Sequence, residues 1–288
     1  MTKDIAKSIK ARLLNIAKNR DINYQQLIIR YLYERLLYRL SVSKYKNRFC
    51  LKGGALLYAF EKEIPRPTLD IDFLGMKIKN DVHTIKNVFK EILAIPCDDG
   101  IQFDVSTIDA EEINESKAYQ GVRITFTAQL DSIKQNMRMD IGFGDVIIPT
   151  AQNLTYPVLM DELPAPEVLA YSLESVVAEK FQAMIELSET NSRYKDFYDV
   201  YKILSNQQLD DAILNEAIHA TFNNRSTVYQ DAHPLFADSF MKEGGRNTQW
   251  KRFLKKIKQD EDLDFKDVMT LISSRLRLFY ETLNTNKK

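Results

Sequence analysis

The chain has 288 residues, 44% of them hydrophobic and 28% charged, with 40 basic side chains balanced by 40 acidic ones. That composition excludes a disordered or fibrous chain, and no apolar run approaches the length of a membrane span. Cys50 and Cys97 sit in apolar segments without metal-ligand spacing, so they read as reduced, buried thiols of a cytoplasmic protein. His83, His219 and His233 are scattered, which argues against a histidine metal centre or a Ser-His-Asp triad.

Residues 1–50 hold twelve Lys and Arg against Asp4, Asp21 and Glu34. A basic arm beside an acidic remainder suits a polyanionic partner, although solvated helix faces have the same composition. Apolar residues at three- and four-residue spacing predict helices over 3–19 (Ile5, Ile9, Leu13, Ile16) and 23–40 (Leu27, Ile28, Tyr31, Leu32, Leu36). The opening stretch is amphipathic and lacks the apolar core of a secretory signal. A strand over 48–52, a helix over 54–62 and a strand over 68–74 follow. A helix over 81–94 comes next, with Asn80 or Asp81 as its N-cap. Strands are predicted over 101–108, 121–130 and 136–143, the last two close enough for a hairpin. Pro149, Pro157, Pro164 and Pro166 mark 149–168 as a connector. Beyond it the pattern is helical over 166–189, 193–206, 209–222, 246–258 and 264–284. The expected architecture is α+β: a mixed lobe over 1–150 and an all-α lobe over 151–288.

One stretch, FCLKGGALLYAFEKEIPRPTLDIDFLG at 49–75, poses a chemical question. Alternation along a strand puts Asp70 and Asp72 on one face, about 6.6 Å apart along the chain. Paired carboxylates repel each other and resist burial. A hard cation such as Mg²⁺ or Mn²⁺ answers both costs, because it takes oxygen ligands. The Gly53-Gly54 turn offers backbone N–H groups to phosphate, and Lys52 and Arg66 could offset the charge of a triphosphate. Taken singly, an acidic strand and a glycine turn are more often plain structure. Their succession is more specific. A third carboxylate is expected on a neighbouring strand. Asp140 in NMRMDIGF, sharing a face with Arg138, is preferred to its rival Asp104 in IQFDVSTI. Three acids around one or two such ions suit attack of a hydroxyl on a nucleotide α-phosphate. Further on, Lys180 lies amid Val176, Val177, Phe181 and Met184, where a lysine could also simply snorkel. Asp196 and Asp199, preceded by Lys195, share one helix face and read equally as surface ion pairs.

In order along the chain, LKGGALL, the run Arg66-x-Thr68-x-Asp70-x-Asp72-Phe73, MDIGFGD, SVVAEKFQA and SRYKDFYDVY resemble the nucleotidyltransferase toxins of the AbiEii/AbiGii type. The resemblance covers about residues 48–204, roughly half the chain. It implies a DNA-polymerase-β-like nucleotidyltransferase lobe followed by a helical lobe. It assigns the glycine motif to Gly53 and Gly54 and the metal-binding acids to Asp70, Asp72 and Asp140. It puts a triphosphate-contacting lysine at Lys180 and a second motif at Lys195, Asp196 and Asp199. Either of those two acids could orient the attacking hydroxyl or fix Lys180. The resemblance also implies Mg²⁺ or Mn²⁺, an NTP substrate, an RNA acceptor (the tRNA 3′ end) and an antitoxin from a neighbouring gene. A protein hydroxyl as acceptor and a metal-dependent nuclease are the alternatives. A nuclease has no need of a triphosphate cradle. Lys3, Lys7, Lys10, Arg12, Lys18 and Arg20, with the run WKRFLKKIK at 250–258, are expected to hold RNA phosphates.

Overall fold

The computed structural model describes residues 2–60, 66–116, 119–259 and 262–284, with side chains described over 4–60, 66–113, 121–259 and 262–284. The chain divides into two compact units, Met1–Gly144 with Ala151–Tyr171, and Asp145–Thr150 with Ser172–Lys288.

The first unit contains, in chain order, α1 (Thr2–Asn19), α2 (Tyr24–Val42), β1 (Phe49–Lys52), α3 (Gly53–Leu57), β2 (Ile71–Gly75) and α4 (Val82–Leu93). They are followed by β3 (Ile101–Ser116), β4 (Tyr119–Leu130), β5 (Ile133–Phe143), β6 (Gln152–Thr155) and β7 (Glu167–Ala170). The strands form one mixed sheet in the order β3-β4-β5-β2-β1-β7-β6. β2 runs parallel to β5, and β1 parallel to β7; the other neighbours are antiparallel. Phe49 of β1 and Phe73 of β2 pack against Phe89 of α4, with centroids 5.0 and 6.4 Å from the Phe89 ring. This aromatic cluster buries one face of β2. Alternation therefore turns Asp72 to the other face. The expected hairpin is β4–β5, closed at Leu130 and Ile133. Of the two caps considered for α4, Asp81 accepts from the Thr84 N–H.

Several boundaries differ from the sequence reading. The helix expected over 54–62 ends at Leu57 and passes into a turn through Phe60; residues 61 and 62 lie outside the described residues. The strand expected over 68–74 begins at Ile71. Within the proline-rich connector two strands form, and one of them, β7, takes the start of the expected helix 166–189. Its partner is β1, in the register Cys50↔Leu169 and Leu51↔Ala170. Hydrogen bonds to a strand more than 100 residues away set its conformation, which local pattern does not reveal. Cys97 is partly exposed rather than buried. The basic charge of the N-terminal segment is partly internal: Arg35 and Arg39 are buried, and Arg39 holds Asp99 through bonds of 2.6 and 3.1 Å.

The second unit is helical: α5 (Leu173–Leu187), α6 (Tyr194–Asn206), α7 (Asp211–Asn224), α8 (Asp238–Lys242), α9 (Gly244–Lys256) and α10 (Phe265–Thr282). Ser172 caps α5 by accepting from the Ser175 N–H. Trp250 and Phe265 are fully buried and pack with Tyr194 and Phe197 of α6. Phe181 of α5 meets Phe222 of α7 and Tyr280 of α10. Two aromatic clusters thus clamp α5 and α6, the helices that carry the second set of expected site residues.

Candidate active site

In the first unit one row of charged residues crosses five strands in register. Glu111 faces Arg123, Arg123 faces Asp140, Asp140 faces Asp72, and Asp72 faces Lys52. Signs alternate along this row except at Asp140 and Asp72, two carboxylates on adjacent parallel strands about 4.8 Å apart in backbone spacing. Like charges directly opposite each other destabilise a sheet. The chain concentrates negative charge at this one place.

The neighbouring backbone is built around Asp72. Gly53 has φ +68°, and a Cβ there would overlap the Asp72 carboxylate. A Cβ on Gly54 would overlap Thr68 Oγ1 and lie 3.2 Å from Arg66 Nη2. The glycines therefore make room for the chain's own side chains, Asp72 and the Arg66–Thr68 pair, and bring the start of α3 against the acid. Gly53→Ala is expected to cost roughly 1–3 kcal/mol of stability through the left-handed backbone and the overlap. It should also lower the rate of any chemistry that uses Asp72 by about 10²-fold, because the carboxylate must move. Thermal melts and turnover measured side by side test this; native-like turnover would show that Asp72 tolerates displacement.

The other expected acids have partners. Asp140 accepts two bonds from Arg123, 2.8 and 2.9 Å, and Asp70 pairs with Arg138. Among the described residues no three His, Cys, Asp or Glu side chains gather closely enough to hold a metal ion. The expected trio is therefore not drawn together as a closed cage. What the sheet assembles is the pair Asp72–Asp140. This pair still fits a hard cation, since Mg²⁺ is commonly held by one or two carboxylates with substrate phosphate and water completing its shell. A carboxylate also has about four acceptor directions, so a bidentate arginine does not exhaust Asp140. The rival Asp104 is exposed on the outer strand β3, where it accepts from Ser106. Lys52 is buried, with its ammonium 5.6 Å from the centre of the Tyr171 ring.

Sequence reasoning missed two contributors here. Arg123 carries no local signal on its strand; only register shows it opposite Asp140. Tyr33, buried on α2, places its hydroxyl 2.6 Å from the Leu69 carbonyl and 3.1 Å from that of Arg138. It thereby ties the segment preceding Asp70 to β5. Burial pushes the Tyr33 phenol up, with Asp70 adding to the shift, so it remains a donor. Tyr33→Phe should cost about 1–2 kcal/mol and raise the divalent-ion concentration needed for half-maximal activity. A variant with lower stability and an unchanged metal requirement would make Tyr33 a scaffold residue only.

The second unit holds its own charge cluster. Lys180 of α5 lies 2.8 Å from Asp196 and 2.7 Å from Asp199, both on α6. Arg193, exposed at the start of α6, reaches Asp196 at 2.7 Å. The i, i+3 spacing aims both acids at Lys180. The carboxylates are almost wholly buried, at 2% and 0% exposure, so these are not the surface pairs that sequence alone allowed. Burial pushes the Asp196 carboxyl up, but Lys180 and Arg193 outweigh it and hold the group below its ordinary value. Lys195 is exposed on the same helix.

The expected polyanion contacts are mixed. Lys10 pairs with Asp131 at 2.9 Å, and Arg12 with Glu162. Lys7 and Lys18 are exposed on α1 and Arg20 just beyond it, as are Arg252, Lys255, Lys256 and Lys258 at the end of α9 and just beyond it. The Lys3 side chain lies outside the described residues.

Comparisons with known proteins identify the family and the fold. The family profile described as nucleotidyl transferase AbiEii toxin, type IV toxin–antitoxin system, matches residues 35–271. No curated protein matches the chain. The crystal structure of JHP933 from Helicobacter pylori is similar at a TM-score of 0.51 and 14% identity, over 92% of this chain and 95% of that one. A presumed nucleotidyltransferase from H. pylori is similar at 0.51 and 15% identity, over 93% of this chain and 100% of that one. At these identities the solved structures speak for the fold alone, a mixed sheet with helices. No described helix is long and apolar enough to cross a membrane.

Proposed function

The chain belongs to the AbiEii nucleotidyl transferase toxin family, and from that premise we propose that it transfers a nucleoside monophosphate from an NTP to the 3′ end of an RNA acceptor, tRNA. The observation that supports this reading is the break in the charge row, where Asp72 and Asp140 abut in register.

In this reading Asp72 and Asp140 hold a divalent cation, Mg²⁺ or Mn²⁺, with Asp70 beside them. The bound ion supplies Lewis acidity toward the α-phosphate and eases ionisation of the attacking hydroxyl. Gly53 and Gly54 bring the start of α3 against Asp72, and Lys52 and Arg66 set positive charge against the triphosphate. The roles of Lys180, Lys195, Asp196 and Asp199 follow the family motif: Lys180 toward phosphate, and the acids holding Lys180 or the acceptor hydroxyl. Capping tRNA this way would block aminoacylation and stop translation in the cytoplasm, and an antitoxin from the adjacent gene would oppose it.

The test is incubation of purified protein with total RNA, Mg²⁺ and each α-labelled NTP in turn. Label in RNA that vanishes with EDTA supports the proposal. Label in protein instead, or RNA shortened without label, supports the hydroxyl-modifying or nuclease alternative and overturns it.

A further inference from the structure

The two arginines on the acids are placed as more than scaffolding. Arg123 lies opposite Asp140, while Arg138 lies opposite Thr125, two residues from Arg123 on β4. The arginines are therefore diagonal neighbours on one face, about 7–8 Å apart in backbone spacing. Two guanidinium groups so close repel each other, and the fold tolerates this because each lies on a carboxylate. Both remain partly exposed, at 29% and 44%. A guanidinium carries five N–H donors. Arg123 uses Nε and Nη2 on Asp140, and its Nη1 is 3.8 Å from Glu111, beyond a hydrogen bond. Arg138 engages Asp70 through Nη2.

The charge balance gives this arrangement a consequence. Glu111, Asp70, Asp72 and Asp140 oppose Lys52, Arg123 and Arg138, so the cluster is nearly neutral by itself. A cation arriving alone would share Asp140 and Asp70 with the two guanidinium groups and meet their positive charge at close range. A phosphate arriving alone would compete with carboxylate for the same guanidinium groups. Arriving together they satisfy both sets, because arginine pairs phosphate as well as it pairs carboxylate.

We propose that Arg123 and Arg138 form an anion subsite for substrate phosphate, and that they serve as resident counter-ions of Asp140 and Asp70 until a divalent cation and a phosphate enter together. The inference rests on the acid pair being the cation site of the proposed function. Cation and phosphate binding are then positively coupled, and the coupling is reciprocal.

The experiment is Mn²⁺ binding to the full chain, read by electron paramagnetic resonance, with and without ATP or a short oligoribonucleotide lacking a triphosphate. Wild type is expected to bind Mn²⁺ weakly alone and more tightly with the phosphate ligand. Arg138→Gln and Arg123→Gln should each bind Mn²⁺ alone about three- to tenfold more tightly, because a competing cation is gone. They should bind the phosphate ligand more weakly by a similar factor. Arg138→Lys keeps the charge and should leave Mn²⁺ binding near wild type, which separates charge from fold damage. Weakening confined to ATP assigns the subsite to the donor triphosphate; weakening confined to the oligoribonucleotide assigns it to the acceptor backbone. Unchanged or weaker Mn²⁺ binding in both glutamine variants, with ATP and oligoribonucleotide affinities unchanged, overturns the inference. Asp72→Ala serves as the control: Mn²⁺ binding that does not depend on Asp72 overturns the proposed cation site itself and not the arginines alone.

Discussion

Asp72→Ala is expected to abolish nucleotidyl transfer, by about 10³-fold or more, while leaving the fold intact. Transition-state charge in a preorganised site is commonly worth two to three decades per contributing group, and a divalent ion held by that group adds to this. Asp72 stands where the charge row of the first unit meets the glycine turn. It faces Asp140 on β5 and Lys52 on β1, and Gly53 is fitted against its carboxylate. The side chain contributes little to the core, because Ile71 and Phe73 turn the other way and carry the burial of β2. Removing it also removes the like-charge contact with Asp140. The melting temperature should therefore stay within a few degrees of wild type. Turnover and thermal melts on the same preparation decide the matter. A folded variant that retains transfer would displace the centre from this row.

Lys180→Met should act in the opposite manner, through stability first. Breaking a buried ion pair by removing one partner typically costs 3–5 kcal/mol, because a buried charge is left behind. Here two buried carboxylates, Asp196 and Asp199, lose a contact of 2.8 and 2.7 Å respectively. The expected loss is roughly 10 °C in melting temperature at neutral pH. The pH dependence has a defined sign. In wild type the Asp196 carboxyl is held below its ordinary value of 3.8. Its contribution is fully present above that value and is lost as pH falls through the folded one. In the variant, burial acts on Asp196 with less opposition and raises its pKa, so protonation on acidification relieves the cost. The gap between variant and wild type should narrow as pH is lowered toward 4. An equal melting temperature at neutral pH would show that this cluster is not a stabilising one. Loss of nucleotide affinity in the variant is interpretable only in the folded fraction, and Lys180→Arg, which keeps the charge, supplies the comparison.

What the sequence made legible was what depends on local periodicity. The long helices follow from the spacing of Ile9 and Leu13 on α1 or Leu32 and Leu36 on α2, whose burial the structure bears out. Asp70 and Asp72 stood out because carboxylates interrupt an apolar strand. The hairpin that presents Asp140 was readable from two runs close together. Strand partnership was not readable, because it is set by residues far apart in the chain. Register alone places Asp140 beside Asp72 and leaves Asp104 on the outer strand, and register alone reveals Arg123. The short strand β7 was hidden under prolines and a helical pattern until β1 supplied its partner. Burial of polar groups was likewise illegible. Asp196 and Asp199 share a helix face in any reading, but only the aromatic packing of Tyr194, Phe197 and Trp250 places that helix deep inside its unit.

The most direct measurement of the central claim is the intact mass of purified tRNA after incubation with the protein, Mg²⁺ and NTP, followed by 3′-end sequencing. The account predicts a mass increase of one or more nucleotides, located at the 3′ end, with wild type and none with Asp72→Ala. Unmodified tRNA with active wild-type protein, or equal extension by both proteins, would contradict it.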